Sequence, residues 1–355
     1  MKVCRRYVVG LLMAGCLGAC APETRNGASE DRSSHLVALG AYLFESPRMS
    51  ANQKISCATC HHPDRYFSEP RRHSLGVNGT DVGANSATLI GLANRTAFPP
   101  SPMVSGAQVT VLAGDAMTLE DRCLAPILNP VEMGSSLEAA SAAIGADGNA
   151  RVLFRAAFGD GAISRKRIGE ALAAFVRSIE PPPSSYREFL EGRTEALTPV
   201  ERRGLAVFEG RGQCAGCHAG ATLTDGKMHV VLLPESRRAR VRPRKQRARF
   251  GYGGGSDFIT PTLTPTLWAI TRTSPYFRDG TVSELDAAVR DHVRELREVA
   301  GVEPCAPRGR EPAFLEISPP GSLQPTRPAP PPERLGSGEF AELLAFLATL
   351  SPRSR

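Results

Sequence analysis

Cys57-Ala58-Thr59-Cys60-His61 recurs as Cys214-Ala215-Gly216-Cys217-His218. In a Cys-x-x-Cys-His pentapeptide two thiols add across the vinyl groups of a haem, and the adjoining histidine becomes an axial ligand of its iron. Two Cys-x-x-Cys knuckles can also close one zinc site with four thiolates. That alternative leaves His61 and His218 unexplained and must join cysteines far apart in the chain. The repeat therefore predicts two covalently bound haems c, one on Cys57, Cys60 and His61, the other on Cys214, Cys217 and His218. Such a protein handles electrons.

At 355 residues the chain is long enough for two domains with their own cores. Its first nineteen residues read as an export signal: Lys2, Arg5 and Arg6 precede an apolar run over 7–17 that is too short to span a bilayer. The run ends in Leu17-Gly18-Ala19-Cys20, which resembles a bacterial lipobox with Cys20 as the acylated residue; Met13-Ala14-Gly15-Cys16 is a weaker competing site, and cleavage without lipid is the alternative. Export and covalent haem agree, because haem attachment of this kind takes place outside the bacterial cytoplasm. The expectation is a periplasm-facing lipoprotein of the cell envelope, touching the membrane only through its lipid.

Of nine cysteines, Cys4, Cys16 and Cys20 belong to the leader and four to the haem motifs. Cys123 and Cys305 remain and can pair in an oxidising compartment. The formal charge is +7, and residues 235–249 hold eight bases against one acid. That stretch reads either as a surface that steers an acidic redox partner or as a solvated insertion flanked by the glycines of 251–255. Nucleic-acid binding does not fit an exported haem protein.

Residues 20–33 are polar and read as a tether. Apolar residues recur at helical spacing over 35–45, 137–144, 150–158, 165–179, 283–299 and 339–350. A stretch rich in Gly, Ser, Pro and Asn follows His61, and residues 304–336 are proline-rich. Pro181-Pro182-Pro183 stops the chain; Thr198 then suits an N-cap and Pro199 a first helical turn. Both halves share one plan of helix, haem motif, irregular loop and helix. The fold class read from this is all-α, with two cytochrome c-like domains at 34–190 and 191–355.

Further landmarks are Leu39-Gly40-Ala41-Tyr42 ahead of the first motif, then Ser74-Leu75-Gly76-Val77, Asn85-Ser86-Ala87-Thr88, Leu119-Glu120-Asp121 and Val131-Glu132-Met133-Gly134. The second half adds Arg203-Gly204-Leu205, Leu223-Thr224-Asp225, Met228-His229, Pro265-Thr266-Leu267 and Ser274-Pro275-Tyr276-Phe277 with Asp279-Gly280. In order and spacing, residues 35–350 resemble the bacterial di-haem cytochrome c peroxidase family, which includes the methylamine-utilisation enzyme that oxidises tryptophans of a partner protein.

The resemblance implies that the first haem meets hydrogen peroxide and the second relays electrons from a small donor such as a cytochrome c or a cupredoxin. Glu132 matches the glutamate that moves a proton between the peroxide oxygens, and Arg122 stands where the family has a pocket glutamine, able to polarise peroxide by donating hydrogen bonds. The histidine that closes the resting first iron in many members falls at Val77, which cannot ligate, so that iron is expected to be open; His73 lies four residues too early and reads as a surface group. Seventeen residues beyond Pro275, the second haem's far ligand falls at His292 instead of methionine or tyrosine, and two imidazoles should lower the potential that methionine would raise. The bridging tryptophan corresponds to Leu112, while Trp268, the single tryptophan, reads as packing. Asn85 and the carbonyls of Thr273 and Pro275 match the ligands of a calcium ion. Homodimers are common in the family. The rival readings are an oxidase that modifies Trp or Tyr of a partner protein and a plain electron carrier.

Overall fold

In a computed structural model the chain is described over residues 25–93, 95, 98, 102–105, 108–111, 117–230, 261–301, 315–317, 323–325 and 334–353. Cys20, Leu112, the basic stretch 235–249 and Cys305 lie outside the described residues. The fold is helical. Its strands pair into three short antiparallel ribbons, β1 (Pro102–Ser105) with β2 (Gln108–Val111), β3 (Met228–Val230) with β4 (Pro261–Leu263), and β5 (Leu315–Ile317) with β6 (Leu323–Pro325). None of them forms a layer of the core.

The first lobe is built from α1 (Arg25–Glu45), α2 (Leu119–Leu128), α3 (Leu137–Gly145), α4 (Gly148–Phe158) and α5 (Arg165–Arg177). The second uses α6 (Ser185–Leu190), α7 (Pro199–Glu209), α8 (Leu285–Gly301) and α9 (Ser337–Ala348). Local chemistry sets the starts. Thr118, Ser136, Ser164, Ser184 and Thr198 each accept a backbone N–H of the first turn that would otherwise lack a partner. At Thr198 the cap is reciprocal, because Glu201 accepts the Thr198 N–H at 2.7 Å.

Each lobe has one dominant helix crossing, and a glycine makes both. A Cβ on Gly40 of α1 would lie 2.0 Å from the Ala171 carbonyl oxygen of α5, and a Cβ on Gly204 of α7 would lie 1.9 Å from that of Glu342 on α9. Around the first crossing lies a core of Leu39, Leu43, Phe44, Phe154, Ile168 and Leu172. The second core gathers Val207, Phe208, Trp268, Leu343, Phe346 and Leu350.

Two boundaries differ from the sequence expectation. Helix α1 begins at Arg25, inside the stretch 20–33 expected to be a tether. Residues 25–34 carry no Pro and one Gly, so nothing in them stops a helix nucleated by the apolar residues that follow. The expected division at 190/191 falls after α6, yet α6 packs with the second lobe: Tyr186 stacks edge-on against Phe346 at 5.1 Å, and its N–H donates to the Thr349 carbonyl at 3.2 Å. By packing, the change of lobe falls in the proline stretch 181–183. Helices α2 and α6, short and with little periodicity, escaped the apolar pattern.

Gly40→Ala and Gly204→Ala should each cost about 2 to 3 kcal/mol of unfolding free energy, since backbone must move to admit one carbon. Gly148→Ala at the start of α4, where a Cβ meets open space, should gain up to ~1 kcal/mol. Chemical denaturation of the three variants against wild type checks the contrast.

Candidate haem and peroxide site

The first motif winds into a single 3-10 turn, Cys57–Thr59, fixed by Ser56 N–H donating to Thr59 Oγ1 at 3.0 Å and by His61 N–H donating to the Cys57 carbonyl at 2.9 Å. The second repeats this over Cys214–Gly216, with His218 N–H on the Cys214 carbonyl at 2.9 Å. None of the four motif sulfurs is taken up in a disulfide. The four do not converge. Among the described residues, only Cys217, Asp225 and His229 offer three ligand atoms close enough for one metal, so the shared four-thiolate zinc site has no geometric basis.

Each motif histidine is held by its Nδ1. His61 Nδ1 lies 3.1 Å from the carbonyl oxygens of both Phe67 and Ala87, and His218 Nδ1 lies 3.3 Å from that of Leu223. A carbonyl only accepts, so Nδ1 carries the proton and Nε2 keeps its lone pair for a metal. Burial lowers the pKa of both rings, which keeps them neutral. The ring of His292, on α8, stands 6.4 Å from that of His218, centre to centre, at an interplanar angle of 65°. Two imidazoles trans on one iron, each bound at about 2 Å, have ring centres roughly 6.3 Å apart. The gap fits a haem iron. Burial and then the neighbouring His218 hold the His292 imidazole down at about 4.

Around the first motif the sequence-selected residues come together. Val77 is buried, and its N–H donates to the Glu132 carbonyl at 2.8 Å. Glu132 lies in the turn after α2, where Asn129 Nδ2 donates to its Oε1 at 2.7 Å. Removal from water raises the Glu132 pKa, and Arg122, Asn129 and Arg278 partly oppose that rise. Arg122 also disfavours a proton on His61, so carboxyl, guanidinium and axial imidazole share one electrostatic field. His73 is turned to Asp81, Nδ1 to Oδ1 at 3.0 Å, and its Nε2 is buried without a partner.

Asn85 spends both Nδ2 protons on the carbonyls of Glu69 and Arg71, at 3.0 and 2.8 Å, and its N–H on that of Arg278, at 2.8 Å. The last of these contacts sets Asn85 against the second-lobe loop that follows Thr273 and Pro275. In that loop Asp279 Oδ2 is buried without a hydrogen-bond partner, as an oxygen-ligand site for a hard cation requires. Trp268 is 2% exposed and donates its indole N–H to the Ala221 carbonyl at 2.9 Å. Cys123 is half-buried, and desolvation, with Cys57 nearby, pushes its thiol up to about 12.

Sequence reasoning passed over two charges. Glu69 is fully buried, with Arg71 Nε 3.0 Å from its Oε1, in an irregular loop with no periodicity to reveal it. Arg278 reaches Glu132 electrostatically from the other lobe, and only its place before Asp279-Gly280 pointed to it.

Residues 34–195 match the profile of the family described as di-haem cytochrome c peroxidase. The methylamine utilization protein MauG of Paracoccus denitrificans is 31% identical over 72% of this chain and 73% of that protein. Cytochrome c551 peroxidase of Nitrosomonas europaea is 29% identical over 78% of each. A crystal structure of a MauG-like protein associated with microbial copper homeostasis superposes with a TM-score of 0.62 at 25% identity, over 89% of both chains.

In the polypeptide without haem, burial and His218 hold His292 down at about 4 while an unfolded imidazole titrates near 6.5, so the unfolded state binds more protons between those values. Stability should be full above pH ~6.5 and fall as the pH drops towards 4. Denaturant titrations across that range should give a shallower slope for His292→Leu, the remainder coming from His61 and His218, whose shifts have the same sign.

Proposed function

As the chain belongs to the di-haem cytochrome c peroxidase family, we propose that it reduces hydrogen peroxide to two waters, taking two protons from its pocket and solvent and two electrons from a small redox protein outside the cell membrane. The reading rests on one observation above all: a carboxyl of raised pKa, Glu132, stands with Arg122 in the field of the His61 axial imidazole.

Two haems c, when bound, would supply redox-active iron for peroxide reduction in the first lobe and for electron transfer in the second. The first is held by Cys57, Cys60 and His61, the second by Cys214, Cys217, His218 and His292. Glu132, made more basic by desolvation, takes the proton from the near peroxide oxygen and returns it to the far one as the O–O bond breaks. Its contact with Asn129 fixes the carboxylate for that transfer. Arg122 donates hydrogen bonds to the peroxide and balances the charge that gathers on the leaving oxygen. Val77 offers no ligand atom, so no side chain at that position would have to leave before reactant could enter the first site. Asn85 and the carbonyls of Thr273 and Pro275 would hold a calcium ion, which would tie together the loops that join the lobes. Cys20 carries the lipid that keeps the protein at the membrane surface; among the described residues no helix is long and apolar enough to cross one.

A second reading is favoured by the MauG relative at 31% identity: oxidation of a partner protein's Trp or Tyr in place of cytochrome turnover. The products separate the two.

With peroxide and a reduced small cytochrome, the wild type should turn over. Glu132→Gln should lose roughly 10²- to 10⁴-fold in kcat/KM. Electron paramagnetic resonance of the ferric protein should show one high-spin and one low-spin bis-imidazole signal. Intact turnover in Glu132→Gln, or two low-spin signals, overturns the assignment; no turnover in the wild type leaves an electron carrier.

A further inference from the structure

Trp268 is the single tryptophan of the chain, and it is tied to the second haem motif. Its indole N–H bonds to the Ala221 carbonyl at 2.9 Å, and the His218 Nδ1 proton bonds to the carbonyl of Leu223, two residues on. Leu223 and Trp268 share the second-lobe core, against which Cys214 and Ala215 also pack. Tyr186 meets the indole, with ring centres 6.0 Å apart and planes tilted by 39°. On α6, Tyr186 stacks on Phe189 at 6.3 Å, and Leu190 beside them is 54% exposed. A file of aromatic rings thus leads from the turn that holds His218 to the surface, and its two inner members are side chains that can be oxidised by one electron.

We propose that Trp268 and Tyr186 form a redox relay that carries one-electron oxidising equivalents from the second haem to the surface of α6, where a small reductant in solution discharges them. The proposal rests on the peroxide-reducing reading above. Hydrogen peroxide is the oxidant and takes up two electrons and two protons per two waters formed. For each electron that no donor protein supplies, the Trp268 indole gives up one. Tyr186 refills it and releases its phenolic proton to water on the side of Glu209. The resulting neutral phenoxyl regains one electron and one proton from a one-electron reductant, with ascorbate as the probe. Two such transfers balance one peroxide.

The physical case is geometric. Phe189 and Phe346 flank Tyr186 but have no accessible radical state, so a charge that reaches Tyr186 stops there. Burial and the Glu209 carboxylate keep the phenol protonated, so its oxidation must expel a proton, and the residue is exposed enough to do so.

The test is rapid freeze-quench electron paramagnetic resonance of the holoprotein mixed with peroxide and no donor, with peptide mass spectrometry of the products. Tyr186→Phe keeps the ring and its packing, so the fold is preserved. The wild type should show a tyrosyl radical that ascorbate quenches; Tyr186→Phe should lose it and shift oxidative damage to residues around the second motif. Trp268→Phe should also lose it, with haem absorption spectra showing both centres intact. An unchanged radical in Tyr186→Phe, or one lost only in Tyr276→Phe, overturns the relay while peroxide is still consumed. Absence of peroxide consumption by the wild type overturns the peroxidase reading and the relay together.

Discussion

The hydrogen bond from a buried imidazole Nδ1–H to a backbone carbonyl is the interaction on which the rest of this structure depends. It fixes the tautomer of His61 and of His218, so that Nε2 presents a lone pair in each lobe. The carbonyls belong to loops that follow the motifs, Phe67 and Ala87 in one lobe and Leu223 in the other. Those loops must therefore be held as firmly as helices. They are: Phe67 packs into both hydrophobic cores, and Leu223 is buried in the second.

The lobes are variations on one device. In each, a helix before the haem motif crosses a helix after it at a glycine, and the close approach brings two apolar faces together where a haem needs a wall. What differs is the far side of each motif. In the second lobe α8 brings the His292 imidazole to 6.4 Å from that of His218, centre to centre. In the first, Val77 and the Glu132 turn take that place, supplying a carboxyl of raised proton affinity where the other lobe supplies a ligand.

The loops also lock the lobes to each other. The Asn85 N–H donates to the Arg278 carbonyl, Arg72 Nε donates to that of Asp279 at 3.1 Å, and a Cβ on Gly280 would strike the Arg72 carbonyl at 2.3 Å. Through this seam a second-lobe cation, Arg278, acts on Glu132.

The sequence by itself determined the two haem motifs, the all-α class and the helices with strong apolar periodicity, and its resemblance to a known family pointed to the histidine that stands opposite His218. These are local or register-bound properties, and the chain carries them without knowing its fold. Only the tertiary structure decided that α6 joins the second lobe, that α1 reaches back to Arg25, that Glu69 is buried beside Arg71, and that Tyr186 touches Trp268. Each of these depends on contacts between residues far apart in the chain, made in loops or short helices where no period of 3.6 marks the buried side. The proton affinity of Glu132 belongs to the same class, because a carboxyl's pKa is set by the water and charges around it and not by its place in the sequence.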